Sequence, residues 1–338
     1  MTRRSEFKLI TELFAPLAQS AAALGLRDDA AYLTPTPGHE TVLKTDTIVA
    51  GVHFRPSDPG NLVARKALRA CLSDLAAKGA KPIGVLQALT LAPDTDDAYL
   101  EAYARGLAED LQLFGVALLG GDTTAHLKNG SGPLTITITA VGEVPTGTAM
   151  LRTGARVNDL LCVSGTIGDA AVGLRAAEGK LTPLAAAHRD HVIGRYLLPE
   201  PRLALGQALR GIATACLDIS DGLVADVGHL CESSHVTAAI LWSDVPRSIA
   251  ADRWLMDDPS LRDVILGGGD DYELAFTVPP DRAHSLAEIA AATGTAITVI
   301  GRIDPPRREG SVADAKDVKV LGDFGREIDV RIAGFTHG

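Results

Sequence analysis

The chain has 338 residues, 46% hydrophobic and 22% charged, which predicts about two domains of roughly 100–200 residues each and excludes a disordered protein. With 32 Lys plus Arg against 42 Asp plus Glu, the net charge is −10, which argues against nucleic acid and anionic membranes as partners. The 7 Phe, 5 Tyr and 2 Trp are too few for base-stacking platforms, so any polyanionic ligand must be held locally by metal or backbone amides.

Phe7, Ile10, Phe14 and Leu17 follow helical spacing and predict an amphipathic N-terminal helix rather than a signal peptide. Residues 41–50 (TVLKTDTIVA) read as a β-branched strand carrying Asp46. Asn61 is a candidate N-cap for a helix through KALRACLSDLAAKGA, which Gly79 and Pro82 terminate. IGVLQALTLAP then reads as a buried strand, residues 95–114 as a second amphipathic helix, and GVALLGGDTT as a strand with a glycine pair. In PLTITITAVGEV the alternation of Leu134, Ile136 and Ile138 with Thr135, Thr137 and Thr139 predicts one buried and one hydroxylated face.

Turn-formers across residues 145–154 place a domain boundary there, giving domains 1–147 and 148–338. Beyond it, DLLCVSGTIGDAAVGL predicts strand, glycine turn and helix. Residues 182–209 read as helical with a break at LPEPR. ACLDISDGLVADVGHL repeats the strand, acidic turn and helix scheme. LGGGDDYELAFTV sets glycines and acids before another strand, AITVIGRI is the last clear strand, and the tail from Pro305 is charged and weakly patterned. The fold class is therefore α/β in the mixed α+β sense, two domains each with a sheet flanked by helices.

Cys71, Cys162, Cys216 and Cys231 show no metal-ligand or redox-motif spacing and read as reduced core residues of a cytosolic protein. Aspartates are the feature that stands out. Asp28, Asp29, Asp46, Asp74, Asp122, Asp218 and Asp221 all sit at element ends beside Gly, Ser or Thr, where any one alone is most simply a cap or turn residue. Asp74 resists that reading, because Val63, Ala67, Ala70 and Asp74 share one helix face. A carboxylate there needs a cation, since burying it unpaired costs on the order of several kcal/mol. Hard oxygen ligands without His or Cys clusters suit Mg²⁺. Glycines at strand ends, Gly120-Gly121, the Gly165 to Gly168 turn and Gly267 to Gly269, offer backbone amides to phosphate oxygens. There is no P-loop, dinucleotide fingerprint, GxSxG, HExxH or kinase-type HRD loop.

In order, DDAAYL, TDTIVAGVHF, KALRACLSDLAAKGAKP, LLGGDTT, LRTGARVNDLLCVSGTIGDAAVGL, LPEPRLALGQAL, DISDGLVADVGHL and GGGDDYELAFTVP resemble thiamine-monophosphate kinase over nearly the whole chain. That family shares a superfamily with aminoimidazole ribonucleotide synthetase and selenophosphate synthetase. The resemblance implies a two-domain fold with an N-terminal domain of the aminoimidazole ribonucleotide synthetase-like type, ATP-dependent phosphorylation of thiamine monophosphate, several Mg²⁺ ions, and a cytoplasmic homodimer formed through the N-terminal domains. By motif position it implies Asp29, Thr45, Asp46, Asp74, Asp122, Asp218 and Asp221 as metal ligands, with Asp46, Asp74 and Asp122 assisting catalysis and no general base. It implies Gly121, Asp122, Arg152 and Ser220 at ATP, and His53, Asp270 and Ile332 at the thiamine phosphate. The chain departs from the motifs at Arg27, Lys44, Lys78, Asp270 and Ile332. Lys44 puts an ammonium where a hydroxyl usually helps hold metal, which bears on the number of ions bound; Ile332 stands where an aromatic often occurs, and Phe335 is nearby. A superfamily enzyme with another acceptor and a non-catalytic nucleotide-binding relative are the alternatives.

Overall fold

The computed structural model describes residues 4–127, 130–306 and 317–331. Two compact units divide it, residues 1–75 with 80–147 and residues 76–79 with 148–338.

The first unit begins with a broken helix rather than a regular one. A short α1 (Glu6–Leu9) runs into a π turn (Ile10–Phe14) and 3₁₀ turns. The wider π turn rotates the apolar face, so Leu9, Phe14 and Ala18 are buried while Phe7 is 78% exposed, contrary to the regular-helix expectation. Four strands follow, β1 (His39–Val49), β2 (Lys81–Leu91), β3 (Ala117–Ala125) and β4 (Thr135–Pro145), in the order β1-β4-β2-β3. Only β2 and β3 are parallel, as the helical crossover between them requires.

Two helices, α2 (Gly60–Ala77) and α3 (Asp97–Phe114), belong to this stretch of chain. Asn61 lies inside α2 rather than capping it. The two helices approach closely: a Cβ on Gly106 would collide with the Asn61 backbone, and one on Gly60 would come 2.6 Å from the Tyr99 carbonyl oxygen. Asp96 caps α3 by accepting the Tyr99 N–H, and Gly115 ends it in the left-handed conformation. In β4, Ile136, Ile138 and Ala140 are buried while Thr135, Thr137 and Thr139 face the more open side.

The second unit is a seven-stranded sheet ordered β11-β10-β7-β9-β5-β8-β6. Its strands are β5 (Leu160–Ser164), β6 (Ala215–Asp218), β7 (Thr237–Leu241), β8 (Leu274–Val278), β9 (Ile297–Asp304), β10 (Val318–Leu321) and β11 (Glu327–Ile328). Helices α4 (Asp169–Ala177), α5 (Ala186–Leu197), α6 (Leu203–Leu209), α7 (Leu223–Ser234), α8 (Ile249–Asp257), α9 (Leu261–Gly267) and α10 (Leu286–Thr293) flank it. One apolar cluster packs Leu161, Val163, Leu217, Val227 and Ile265; another packs Cys162, Cys216, Leu205 and Phe276. Neighbouring residues of β5 thus feed opposite faces, so both sides of the sheet are buried. Two short strands, β10 and β11, lie in the tail that the sequence leaves unpatterned. No helix among the described residues is long and apolar enough to cross a membrane.

Candidate functional site

In the first unit the open face of the sheet and the N-terminal segment enclose a cleft of about 730 Å³. Phe14, Ala23 and Leu26 form an apolar wall, Asp28 and Asp29 come from the adjoining segment, and Gly121, Asp122, Thr137 and Thr139 come from the sheet. Gly121 is where a side chain cannot be accommodated, because its Cβ would strike the Gln87 carbonyl. Thr45 shares a hydroxyl hydrogen bond of 2.8 Å with Thr139, and Thr47 one of 2.8 Å with Thr137. The hydroxylated face thus forms a ladder across β1 and β4 at the cleft.

Asp46 points the other way. Strand alternation puts Lys44, Asp46 and the buried Ile48 on the helix-covered side, opposite Thr45. There α2 is held against the sheet by Cys71, whose Sγ–H donates to the Ile138 carbonyl at 3.4 Å. Asp74, one turn on, meets the end of Lys44: Nζ lies 2.9 Å from Asp74 Oδ2 and 3.0 Å from Asp46 Oδ1. The cation that the apolar helix face demanded for Asp74 is therefore Lys44. Burial opposes the Lys44 charge, but Asp74 and then Asp46 outweigh it and hold the ammonium above the usual lysine range.

His53 lies in the tight turn after β1. Its Nδ1 accepts the Val49 N–H at 3.1 Å, which leaves the proton of the neutral ring on Nε2. Its carbonyl accepts from Lys66 Nζ at 3.1 Å.

In the second unit two acidic motifs form one backbone-bonded loop pair. Asp218 ends β6, and Ile219 to Gly222 turn into α7. One buried oxygen, Asp226 Oδ2, accepts N–H groups from Ser220, Asp221 and Gly222 at 3.0, 2.9 and 3.1 Å. Burial pushes the Asp226 carboxyl up to about 7 and Asp221 adds to the rise, against the pull of those three donors. The Asp270 N–H donates to the Ser220 carbonyl and the Tyr272 N–H to that of Ile219. Asp270 and Tyr272 both take positive φ, 71° and 50°, a conformation L-residues seldom hold. Sequence reasoning passed over Asp226; its place four residues after Gly222, in the first turn of α7, is the available signal.

The glycine turns differ from expectation. The Gly168 N–H donates to Asp271 Oδ2 at 2.7 Å and the Ala170 N–H to Asp271 Oδ1 at 3.4 Å, so an internal carboxylate holds the amides expected to face phosphate. Gly268 N–H is likewise spent on the Val264 carbonyl, and Gly269 serves close packing on Ser220. Glu273, fully buried, is clasped by Arg195, Arg202 and the Ser164 hydroxyl.

Of the residues singled out in sequence, Asp29, Gly121 and Asp122 line one cleft. Asp46 and Asp74 meet at Lys44, and Thr45 lies on the opposite side of β1. Asp218, Ser220, Asp221 and Asp270 form the loop pair of the second unit, which also carries the exposed Arg152. Ile332 and Phe335 lie outside the described residues. Among the described residues no three of His, Cys, Asp and Glu gather into a metal-holding group. Mg²⁺ ordinarily takes one or two carboxylates together with substrate phosphates and water, so the oxygen donors Asp29 and Asp122 in one cleft suit it without a complete protein cage.

Residues 27–144 match the N-terminal domain of AIR synthase related proteins and residues 156–314 their C-terminal domain. Thiamine-monophosphate kinase of Caulobacter vibrioides is 40% identical over 338 residues, 99% of this chain and 91% of that protein. The crystal structure of thiamine-monophosphate kinase from Stenotrophomonas maltophilia K279a is similar at TM-score 0.79 and 37% identity, covering 93% of this chain and 94% of that one. AaThiL complexed with AMPPCP and TMP is similar at TM-score 0.74 and 27% identity, covering 99% and 100%.

Proposed function

The chain belongs to the thiamine-monophosphate kinase family, and from that premise we propose that it transfers the γ-phosphoryl group of ATP to thiamine monophosphate, in line and with Mg²⁺, giving thiamine diphosphate and ADP. The observation that carries this reading is the cleft in which Asp29 and Asp122 stand beside the bare Gly121 backbone, on a fold like that of AaThiL complexed with AMPPCP and TMP.

The acceptor is a phosphate monoester whose second ionisation lies at about pKa 6. Its nucleophilic oxygen is mostly deprotonated at neutral pH, which agrees with a site built from carboxylates rather than a His-Asp or Ser-His pair. The barrier is repulsion between two anions, and bound Mg²⁺ supplies charge neutralisation. In this reading Asp29, Thr45, Asp46, Asp74, Asp122, Asp218 and Asp221 hold metal, and Gly121, Asp122, Arg152 and Ser220 position ATP. His53, Asp270 and Ile332 position thiamine phosphate. The Val49 N–H fixes the orientation of the His53 ring through Nδ1.

We read the protein as a cytoplasmic homodimer paired through the first unit, whose open sheet face exposes Leu43 at 68% and Leu86 at 40%. Light scattering gives the mass directly: a dimer supports the pairing, a monomer rejects it.

The decisive test incubates purified protein with ATP, Mg²⁺ and either thiamine monophosphate or free thiamine, and identifies products by mass. Thiamine diphosphate and ADP formed together, only from the monophosphate and only with Mg²⁺, are expected. ATP turnover without thiamine diphosphate moves the acceptor elsewhere in the superfamily.

A further inference from the structure

We propose that Lys44 is a resident cation of the Asp46–Asp74 pair, a positioning residue that takes the place a divalent ion would otherwise occupy between these two carboxylates. The inference rests on the reading above that this pair belongs to the metal-holding machinery.

Three observations carry it. The ammonium is within hydrogen-bond distance of both carboxylates at once, 3.0 Å from Asp46 and 2.9 Å from Asp74, so it bridges them as a cation between two ligands does. Both carboxylates are fixed by secondary structure rather than by loops. Asp46 is two residues along the same strand face as Lys44, and Asp74 comes from a helix tied to that sheet by the Cys71 contact with the Ile138 carbonyl. All three side chains are partly shielded, with 32%, 30% and 22% exposure for Lys44, Asp46 and Asp74. Water therefore screens them incompletely, and two carboxylates held this close need a counter-charge at all times. A covalently attached ammonium meets that need without metal, and reduces the local charge from minus two to minus one.

The consequence concerns ion count. With Lys44 in place, the oxygens that face each other across the pair are spent on N–H donors, and a divalent ion cannot share the same point. A short neutral side chain at position 44 vacates that point and leaves two hard oxygen ligands, the set Mg²⁺ or Mn²⁺ accepts alongside water and phosphate. Lys44→Arg keeps the charge and the donors.

The test counts Mn²⁺ bound per chain, by electron paramagnetic resonance of free Mn²⁺ in the presence of a non-hydrolysable ATP analogue. It compares the full chain with Lys44→Ser, Lys44→Ala and Lys44→Arg. We expect Lys44→Ser and Lys44→Ala to bind one more Mn²⁺ per chain than the parent, and Lys44→Arg to match the parent. The melting temperature gives a second readout: in EDTA the two neutral variants melt below the parent, and Mn²⁺ raises them by more than it raises the parent. Equal, non-zero ion counts in parent and Lys44→Ser overturn the inference and leave the proposed function standing. No Mn²⁺ bound by any of the four overturns the metal assignment together with the inference.

Discussion

The carboxylate of Asp271 accepts the backbone N–H of Gly168 at 2.7 Å and so closes the glycine turn before α4 from within the protein. It is fully buried, and burial raises its pKa well above the usual carboxylate range despite the Gly168 and Ala170 donors. Helix N-termini attract anions, and here the anion-seeking end is satisfied by a side chain three residues before the start of β8, between Asp270 and Tyr272, which both take positive φ. Replacing Asp271 with Ala strands two buried N–H groups. Asp271→Ala is expected to lose about 2–6 kcal/mol of stability, at about 1–3 kcal/mol per unsatisfied group, measured by urea unfolding; an unchanged midpoint contradicts this role.

Asp122 carries a different expectation. It lines the cleft and is exposed on β3, so its carboxylate is not needed by the core. Asp122→Asn should melt within a few degrees of the parent and lose at least about 100-fold in kcat, the scale on which single electrostatic groups act in such sites. Full activity in a folded Asp122→Asn protein removes Asp122 from the proposed machinery.

Asp226 links the acidic turn to pH. Its carboxyl is pushed up to about 7 in the folded protein from an ordinary 3.8. Between those values the folded chain keeps a proton that the unfolded chain has released, so this group's contribution is full below pH 4 and is lost as pH rises to 7. In metal-free buffer, the stability of the parent relative to Asp226→Asn should fall by about 2–3 kcal/mol between pH 5 and 7, at about 1.4 kcal/mol per unit. A pH-independent difference shows that Asp226 titrates normally.

The four cysteines give the simplest check. Cys71, Cys162, Cys216 and Cys231 are all buried and reduced, and burial first of all pushes each thiol up to about 12. Thiolate is the reactive form, so the native protein at pH 8 should react with an aromatic disulfide reagent far more slowly than the denatured chain, which should release four equivalents. Cys71→Ser should lower the melting temperature, because a hydroxyl replaces a buried sulfur under α2, while leaving kcat within about twofold. Rapid labelling of the folded protein, or loss of turnover in a stable Cys71→Ser variant, contradicts the reading of these residues as packing groups.

Much of this molecule is written locally. Alternation in TITITA placed the isoleucines inside and the threonines outside, because strand periodicity is two and needs no partner to be read. Helix α3, read from its amphipathic pattern over residues 95–114, runs over Asp97–Phe114. Strands β10 and β11 were invisible for the opposite reason: at four and two residues they carry too little pattern, and β10 exists through parallel pairing with the distant β7. The break in the first helix was equally hidden, since Phe7, Ile10, Phe14 and Leu17 satisfy a regular helix that the π turn then rotates away.

The sequence by itself singled out the aspartates at element ends as candidates, because an aspartate beside glycine or serine at an element end is a local statement, and it showed that Asp74 required a cation. Only the tertiary structure decided which partner each charged group met. Lys44 reaches Asp74 across 30 positions of chain, and Asp271 reaches Gly168 across 103. Such pairings depend on how a helix is laid on a sheet and how a loop is folded against a turn. Spacing along the chain fixes a face, but the identity of what lies opposite that face is a property of packing.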